Sequence, residues 1–285
     1  MSRIDASFSV CALLGLPARH SLGPAIHNAA FEHMGLPYVY VAHDVVPDDL
    51  PAAMAGARAL GYRGLSITMP HKVAALALVD EVDPVARAIG CINTVVWQGG
   101  RLIGYNSDGQ GALGALKRAG ITTEGRRVLL LGSGGAARAI AMTIALRGRP
   151  AQIAILGVLA PELAALGRDI SVQADLPVST APADEPSLAA ALARSDVLVH
   201  CTPVGMTPDV DSSLVPARLL RADLAVLDAV YNPRRTRLLK DAAAAGCVVV
   251  EGMEMFLGQA MVQFELWTQK SAPGDVMRAV VDSRL

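Results

Sequence analysis

The stretch from Val128 to Ala139, V-L-L-L-G-S-G-G-A-A-R-A, constrains the fold of this chain more than any other. Its four leading apolar residues predict a buried parallel strand, and the alanine-rich run that follows predicts a helix. Between them, Gly132, Gly134 and Ala137 have the spacing G-x-G-x-x-A. The first glycine allows a sharp bend, the second lets backbone approach a pyrophosphate, and the alanine lets helix and strand pack closely. We therefore expect a dinucleotide at the start of this helix, where N–H groups attract phosphate; the alternative is a tight turn in some other α/β unit.

The second half of the chain repeats this strand–helix rhythm. Apolar strand-like runs alternate with alanine- and leucine-rich helical runs, and the predicted strands cover residues 128–131, 152–156, 196–200, 224–228 and 248–250. Such alternation implies a parallel sheet with right-handed crossovers. Residues 180–186 are the most loop-like part of this half, and helices at 253–268 and 273–281 follow the last strand.

The first hundred residues also alternate, but Gly99-Gly100 separates two strand-like runs, 93–97 and 101–103, and so indicates a hairpin. A hairpin among strands and helices makes the sheet mixed. The other strands are predicted at 8–14, 38–43 and 64–69, and the helices at 21–34, 48–60, 73–78 and 108–118. We predict two α/β domains: residues 1–107 with the C-terminal helices 252–285 packed back on them, and a Rossmann-type domain over residues 108–251.

The composition argues against several classes of function. The chain has 285 residues, 52% of them hydrophobic, and a formal net charge of −1 without a basic tract, which argues against nucleic-acid and membrane-surface partners. We see neither a signal peptide nor an apolar run as long as a membrane span. The four cysteines lie far apart in no C-x-x-C pattern, so we expect free thiols in a reducing, cytoplasmic compartment. His20, His27 and His71 lack metal-ligand spacing, and no metal is expected.

Two polar clusters interrupt the apolar sequence of the first half. Ser66–Lys72, S-I-T-M-P-H-K, lies between a predicted strand and a helix, where open α/β sheets place ligand groups. Asn106–Gly109, N-S-D-G, directly precedes another helix. The lysine can act in proton transfer, or it can simply be solvated at a helix start. Asp108, taken alone, is typical of a helix N-cap.

The ordered set of motifs is more specific than any one of them. From the N-terminus the chain carries H-S-L-G-P-x-x-H-N, T-M-P-H-K, I-N-T, G-Y-N-S-D-G, G-S-G-G-A-A-R-A, T-P-V-G-M, D-A-V-Y-N-P-R-R-T-x-L-L and G-M-E-M-F-L-G-Q-A. In this order and spacing, from about Leu14 to Trp267, the sequence resembles the shikimate dehydrogenase family, including its quinate/shikimate members. The resemblance implies a two-domain oxidoreductase that reduces 3-dehydroshikimate to shikimate, reversibly, with NADP or NAD, in aromatic amino-acid biosynthesis.

The resemblance also assigns roles to individual residues. Lys72 and Asp108 align with the catalytic pair, and a lysine beside an aspartate can supply and orient the proton that a developing alkoxide needs. The positions that contact the substrate, a small cyclic hydroxy-carboxylate, are Ser21, Thr68, Asn93, Tyr231 and Gln259. The cofactor is expected at Gly132, Gly134, Gly135, Ala136, Ala137, Thr202, Val204, Met206 and Gly252. Residues 1–107 then form the substrate domain of a monomer or homodimer.

Three departures from the family pattern keep alternatives open. Gly23 stands where the family usually has a second serine or threonine for the substrate carboxylate, and Ser66 stands where it usually has asparagine. These two residues favour, as an alternative, a paralogue acting on quinate, aminoshikimate or another ring hydroxy acid. Gly157-Val158-Leu159 replaces the family's N-R-T, whose arginine holds the 2′-phosphate of NADP, and leaves NAD against NADP undecided. A further alternative is a non-catalytic dinucleotide-binding protein, which would not need Lys72 and Asp108.

Overall fold

The structure is a computed structural model, and it describes residues 4–284. The chain divides by its internal contacts into two compact units. The first unit comprises the described residues up to Ser107 together with those from Gln259 onward, and the second comprises Asp108–Gly258. No helix within residues 4–284 is both long enough and apolar enough to cross a membrane.

The first unit is built on a six-stranded mixed sheet with the strand order β2-β1-β3-β5-β6-β4. Its elements are β1 (Ser9–Gly15), α1 (Gly23–His33), β2 (Tyr38–Asp44), α2 (Leu50–Ala59), β3 (Gly64–Ile67), β4 (Glu81–Val82), α3 (Pro84–Ile89), β5 (Thr94–Gln98) and β6 (Arg101–Tyr105). Strand β1 is parallel to β2 and β3, whereas β5 is antiparallel to β3 and β6. The predicted hairpin and mixed sheet are thus confirmed, with Gly99 and Gly100 both at positive φ in the turn.

The second unit has a six-stranded, all-parallel sheet with the order β12-β11-β10-β7-β8-β9. Its elements are α4 (Asp108–Arg118), β7 (Arg127–Leu131), α5 (Gly135–Arg147), β8 (Gln152–Gly157), α6 (Ala160–Ala174), β9 (Val178–Pro182), α7 (Glu185–Leu192), β10 (Val197–His200), β11 (Ala225–Asp228), α8 (Arg237–Ala244), β12 (Val248–Val250) and the start of α9 (Gly252–Thr268). From β7 the chain adds β8 and β9 toward one edge of the sheet. It then returns to the other side of β7 and adds β10, β11 and β12 toward the opposite edge. The switch point of this Rossmann-type sheet therefore lies at β7, whose glycine turn follows at once.

Parts of the chain with weak apolar patterning were predicted wrongly or missed. Residues 180–186 are not a loop: β9 ends at Pro182, and α7 begins at Glu185 with the Asp184 side chain accepting from the Ser187 N–H at 2.8 Å. Strand β9 lies at the sheet edge and is largely exposed, so its sequence lacks the apolar run of the inner strands. Strand β4 and helix α3 were also missed because they span only two and six residues. Residues 74–78 form a 3-10 helix.

The last helices carry large apolar side chains into the first unit. In the part of α9 from Gln259 on, Trp267 is fully buried and donates its indole N–H to the Val95 carbonyl at 3.1 Å. Phe264 stacks on Phe31 of α1 with ring centroids 5.4 Å apart. Helix α10 (Gly274–Asp282) packs against α1. These aromatic rings are part of the apolar surface that the C-terminal segment buries.

Candidate active site

The loop that contains Thr68 and Lys72 leaves the carboxyl end of β3 in the first unit. The Thr68 N–H donates to the Leu14 carbonyl at 3.0 Å, so this loop is fixed to the end of β1. Gly15 lies beside it, and a Cβ there would overlap the Thr68 methyl group. The Lys72 carbonyl accepts from the Ile92 N–H at 3.0 Å, which brings the half-buried lysine next to Asn93 along the chain.

Asn93 is the centre of a hydrogen-bond cluster in the first unit. Its Oδ1 accepts from the Ser107 N–H at 2.8 Å and from the Thr94 hydroxyl at 2.8 Å. Its Nδ2 donates to the Gln259 Oε1 at 3.3 Å. The side chain of Asn93 is 1% exposed, and Gln259 is half-buried. Two residues that the family resemblance assigns to substrate contact, 166 positions apart, are thus in direct contact.

Gln263, one helical turn after Gln259, extends this cluster into the core. Its Oε1 accepts from the Ser66 hydroxyl at 3.1 Å, and its Nε2 donates to the Thr94 hydroxyl at 3.1 Å. All of these groups are buried. Sequence reasoning missed Gln263, although residues four apart on a helix share a face and Gln259 was already a candidate. Ser66 is therefore part of a buried hydrogen-bond network.

An aromatic group lies next to this network. The His27 ring stacks on Tyr40 with centroids 4.7 Å apart and lies 5.0 Å from Trp267. Gln263 lies close to His27, and Ser66 lies close to Tyr40. Burial lowers the pKa of His27 to about 3 and raises the pKa of the Tyr40 hydroxyl, so both side chains are neutral near pH 7. The His27 Nδ1 has no hydrogen-bond partner in the described part of the chain.

Gly23 opens helix α1 beside two hydroxyl groups. The Gly23 N–H donates to the Ser21 Oγ at 3.0 Å. A Cβ at position 23 would lie 3.1 Å from the Ser21 Oγ and 3.4 Å from the Tyr40 hydroxyl oxygen. Leu22, the N-cap residue, makes no side-chain cap bond. The start of α1 therefore places the Ser21 hydroxyl at a helix N-terminus, where an anion is favoured.

The second unit holds Asp108 and the remaining substrate candidate, Tyr231. Asp108 is half-buried at the start of α4. Gly109 follows it, and a Cβ there would overlap the Ala139 carbonyl of α5, so glycine lets these two helices pack closely. Tyr231 follows β11, is 47% exposed, and has its ring centroid 5.7 Å from that of Phe256.

A chain of hydrogen bonds that starts from buried side chains fixes the loop that contains Thr202, Val204 and Met206. Asp228, fully buried at the end of β11, bonds the His200 Nδ1 at 2.8 Å. The His200 Nε2 is 2.5 Å from the Thr202 Oγ1, which also accepts from the Val204 N–H at 3.3 Å. This order is satisfied when His200 donates from Nδ1 and Thr202 donates to Nε2. Met206 is exposed after this turn.

The glycine turn after β7 has the geometry that a dinucleotide pyrophosphate needs. Gly132 has φ of +113°, a left-handed conformation that favours glycine, and a Cβ there would lie 3.0 Å from the Cys201 carbonyl oxygen. Around Gly134 and Gly135, a Cβ would meet nothing within 4 Å, so the space above the turn is open. Ala136 is exposed and Ala137 fully buried against the sheet. The open start of the 13-residue helix α5 therefore fits a phosphate ligand.

Gly252 also needs to be glycine. A Cβ at this position would overlap the Val230 carbonyl oxygen and would lie 2.7 Å from the Asp228 carbonyl oxygen, so α9 begins in close contact with the end of β11. Among the residues that the structure describes, no group of histidine, cysteine and carboxylate side chains has the arrangement of a metal site. The four cysteines are free thiols; Cys11 and Cys247 are buried, and Cys91 and Cys201 are half-buried.

The segment after β8 does not supply the arginine that the family uses to hold the 2′-phosphate of NADP. Val158 and Leu159 are 85% and 52% exposed. Glu162, in the first turn of α6, has its Oε2 3.5 Å from the Ser133 Oγ of the glycine turn. Arg138, a nearby cation, pairs with Asp169 at 2.7 Å. Sequence reasoning found no acidic residue directly after β8 and missed Glu162, which the first turn of α6 brings back to the glycine turn.

The two sheets and the open glycine turn define an α/β protein with a Rossmann-type dinucleotide-binding unit. Family models match two parts of the chain: the shikimate dehydrogenase substrate binding domain matches residues 13–95, and the shikimate 5′-dehydrogenase C-terminal domain matches residues 252–281. A shikimate dehydrogenase (NADP(+)) from Symbiobacterium thermophilum is 43% identical over 272 residues, which are 94% of this chain and 92% of the relative. The chain belongs to the shikimate dehydrogenase family.

Solved structures agree with this assignment. The shikimate 5-dehydrogenase of Listeria monocytogenes, in complex with shikimate and NAD, has a TM-score of 0.95 and 35% identity, and the match covers 99% of both chains. The 5-ketofructose reductase of Gluconobacter sp. strain CHM43 has a TM-score of 0.90 and 30% identity, covering 99% of this chain and all of that one. The predicted family, fold class and oxidoreductase character are confirmed.

Proposed function

We propose that this protein is a nicotinamide-dependent dehydrogenase that interconverts 3-dehydroshikimate and shikimate. The observation that carries the proposal is the convergence at Asn93 in the first unit. The Lys72 backbone bonds the residue next to Asn93, and the Asn93 amide donates to Gln259 at 3.3 Å. Three of the candidate residues are thus brought close together by the fold, and we infer that the amide groups bind ring hydroxyls and that the lysine serves the reacting oxygen.

Proton transfer is the chemistry we assign to Lys72 and Asp108. Reduction of a ketone adds a hydride to its carbon and leaves an alkoxide oxygen that must take a proton. The nicotinamide supplies the hydride in this direction and accepts it in the other. We assign the proton to the Lys72 ammonium and give Asp108 the role of orienting it and keeping it charged. In the reverse direction, Lys72 returns to its protonated state as the hydroxyl of shikimate is oxidised.

Substrate binding is assigned to the first unit and cofactor binding to the second. Ser21 and the start of α1 would hold the ring carboxylate, and Thr68, Asn93 and Gln259 the ring hydroxyls, with Tyr231 as a further contact. The backbone of the glycine turn would hold the pyrophosphate. The residues proposed to line the cofactor site, including this turn, are Gly132, Gly134, Gly135, Ala136, Ala137, Thr202, Val204, Met206 and Gly252.

A second candidate substrate is another polyhydroxylated compound, either a quinate-type ring, which would be oxidised to its ketone, or a keto sugar, which would be reduced. It is favoured by Gly23, which lacks the hydroxyl usual for the carboxylate, and by Ser66, whose hydroxyl donates to the buried Gln263. The Gluconobacter relative is named for reduction of 5-ketofructose, a substrate without a carboxylate. Loss of carboxylate donors would matter less for such a substrate.

The test is a comparison of substrates with the purified protein. Shikimate and quinate are each offered with NAD⁺ and with NADP⁺, and 5-ketofructose with the reduced cofactors, while the absorbance of the reduced nicotinamide is followed. We expect shikimate to have the highest kcat/KM. A higher kcat/KM for quinate or 5-ketofructose would select the second candidate. Cofactor binding without turnover of any of the three would contradict both.

A further inference from the structure

The end of β8 and the glycine turn enclose the place where the adenosine ribose of a dinucleotide lies in Rossmann-type sheets. In this chain the two segments touch: a Cβ at Gly157 would lie 3.4 Å from the Ser133 Oγ. In such sheets an acidic side chain near this point accepts hydrogen bonds from the ribose hydroxyls of NAD, whereas an arginine accommodates the 2′-phosphate of NADP. The side chains near Ser133 therefore decide between the two cofactors.

Glu162 is the side chain that meets Ser133 here. Its Oε2 lies 3.5 Å from the Ser133 Oγ, and Ser133 is the middle residue of the G-x-G turn. The carboxylate thus reaches this point from the first turn of α6 and not from the end of the strand. Glu162 is exposed, so it can turn toward a ligand without breaking buried contacts.

The neighbouring groups do not supply a phosphate site. Val158 and Leu159, directly after the strand, are exposed and apolar. Arg138, the nearby cation, pairs with Asp169 at 2.7 Å. A phosphate monoester carries nearly two negative charges near pH 7, and beside a carboxylate it is repelled instead of being paired.

We propose that this chain selects NAD(H) over NADP(H), and that Glu162 makes the selection by accepting from the ribose hydroxyls and repelling a 2′-phosphate. The proposal rests on the proposed nicotinamide-dependent function and specifies its cofactor. It separates this chain from its 43% identical relative, which is named an NADP(+) enzyme.

Direct binding of the reduced cofactors tests the proposal without any turnover. The dissociation constants of NADH and NADPH are measured by nicotinamide fluorescence, in the absence of substrate, for the wild type and for Glu162→Gln. A charge-assisted hydrogen bond contributes about ten- to a hundredfold to affinity, so we expect the wild type to bind NADH at least about tenfold more tightly than NADPH. Glu162→Gln should weaken NADH binding and strengthen NADPH binding, narrowing the ratio about tenfold or more.

Two further variants sharpen the result. Adding Val158→Arg to Glu162→Gln places a cation at an exposed position after β8 and should reverse the preference toward NADPH. Glu124→Gln removes the same charge just before β7, at the amino end of the strands and so away from the glycine turn. It should leave the ratio of NADH to NADPH affinity unchanged. Salt should weaken NADPH binding less steeply in the wild type than in Glu162→Gln. In the wild type, salt also screens the repulsion between Glu162 and the 2′-phosphate, and this partly offsets the loss.

The outcomes separate this proposal from the proposed function. Equal binding of NADH and NADPH by the wild type, or an unchanged ratio in Glu162→Gln, would overturn the role of Glu162 while shikimate turnover could persist. Binding of neither cofactor would overturn both proposals.

Discussion

The two units present their functional groups in opposite ways. In the first unit, the candidate substrate residues Asn93 and Gln259 belong to a largely buried network in which Asn93 and Gln263 each join several partners. In the second unit, the glycine turn offers exposed backbone N–H groups, and Glu162 lies at the surface above it. Burial makes each missing hydrogen bond expensive, whereas exposed groups can exchange partners with water. Substrate recognition should therefore be coupled to folding stability, and cofactor selection should be separable from it.

Lys72→Ala should have the largest effect, and it should act on catalysis alone. Loss of a general acid typically costs a factor of about 10² to 10⁴ in turnover, and the Lys72 side chain is only half-buried. We expect kcat to fall by at least about a hundredfold, with a similar loss for Asp108→Asn and little change in thermal unfolding. Lys117→Ala, at an exposed lysine of α4, is the matched control. Turnover near that of the wild type in both variants would contradict the catalytic roles and would mean that Lys72 is a solvated lysine and Asp108 a helix cap.

His27 should make the first unit sensitive to mild acid. Its pKa is lowered from 6.5 to about 3 by burial, so between these values the unfolded chain binds a proton that the folded chain does not. Stability should be fully present above pH 6.5 and should fall as the pH drops toward about 3, by at most roughly 1.4 kcal/mol per pH unit. Urea unfolding at several pH values measures this slope.

His27→Phe retains an aromatic ring beside Tyr40 and Trp267 but cannot titrate, and it should flatten the slope between pH 6 and pH 4, roughly the window set by the two His27 pKa values. The same substitution at the exposed His33 should not. Asp196, whose pKa its hydrogen bond to Arg127 lowers to about 2, contributes its own loss only below about its usual pKa of 3.8. A slope that survives in His27→Phe would show that another group titrates in this window.

Gln263→Leu, in the buried network of the first unit, should destabilise the protein more than a substitution on the exposed cofactor side of the second unit. The change keeps approximate volume but removes the buried acceptor of the Ser66 hydroxyl and one of the hydrogen bonds of the Thr94 hydroxyl, which costs about 1–3 kcal/mol. Glu162→Gln, at the exposed cofactor side, should change the free energy of unfolding by less than about 0.5 kcal/mol. Denaturant titrations of both variants measure the difference. Equal destabilisation by the two changes would contradict the contrast between a buried and an exposed recognition side.

Gly23→Ser should have the smallest effect, on substrate affinity. The new hydroxyl restores a donor for a carboxylate at the start of α1, and one hydrogen bond to a charged group contributes about tenfold or more. Gly23→Ala adds the same Cβ, 3.1 Å from the Ser21 Oγ, without the donor. We expect shikimate to bind the serine variant about tenfold more tightly than the alanine variant. Equal dissociation constants in calorimetry would mean that the carboxylate is held elsewhere.

The sequence was most informative where one local pattern determines the structure. The glycine turn at Gly132 follows from steric demands within a few residues, and the structure has the predicted strand, turn and helix. The hairpin at Gly99-Gly100 was equally local. Strand β9 was missed because edge strands need no apolar alternation, and its exposure pattern gives no signal.

The parts of the site that were missed depend on contacts between distant residues. His27, Tyr40 and Gln263 meet only because α1, β2 and α9 pack together. His27 belongs to the motif H-S-L-G-P-x-x-H-N, but Tyr40 and Gln263 lie in no motif. Glu162 was overlooked because it enters from a helix, five positions after Gly157. The pairing of Asn93 with Gln259 could be inferred from the family resemblance, but its hydrogen bond required the fold.

Isotope transfer tests the central claim most directly. Shikimate that carries deuterium on the carbon whose hydroxyl is oxidised is incubated with the protein and NAD⁺, and the reduced cofactor is analysed by mass spectrometry. A dehydrogenase of this kind must move that hydrogen as a hydride, so the account predicts one deuterium in the reduced nicotinamide and a slowed turnover when the hydride step limits the rate. Formation of no reduced cofactor with either NAD⁺ or NADP⁺, or of reduced cofactor without deuterium, would contradict it.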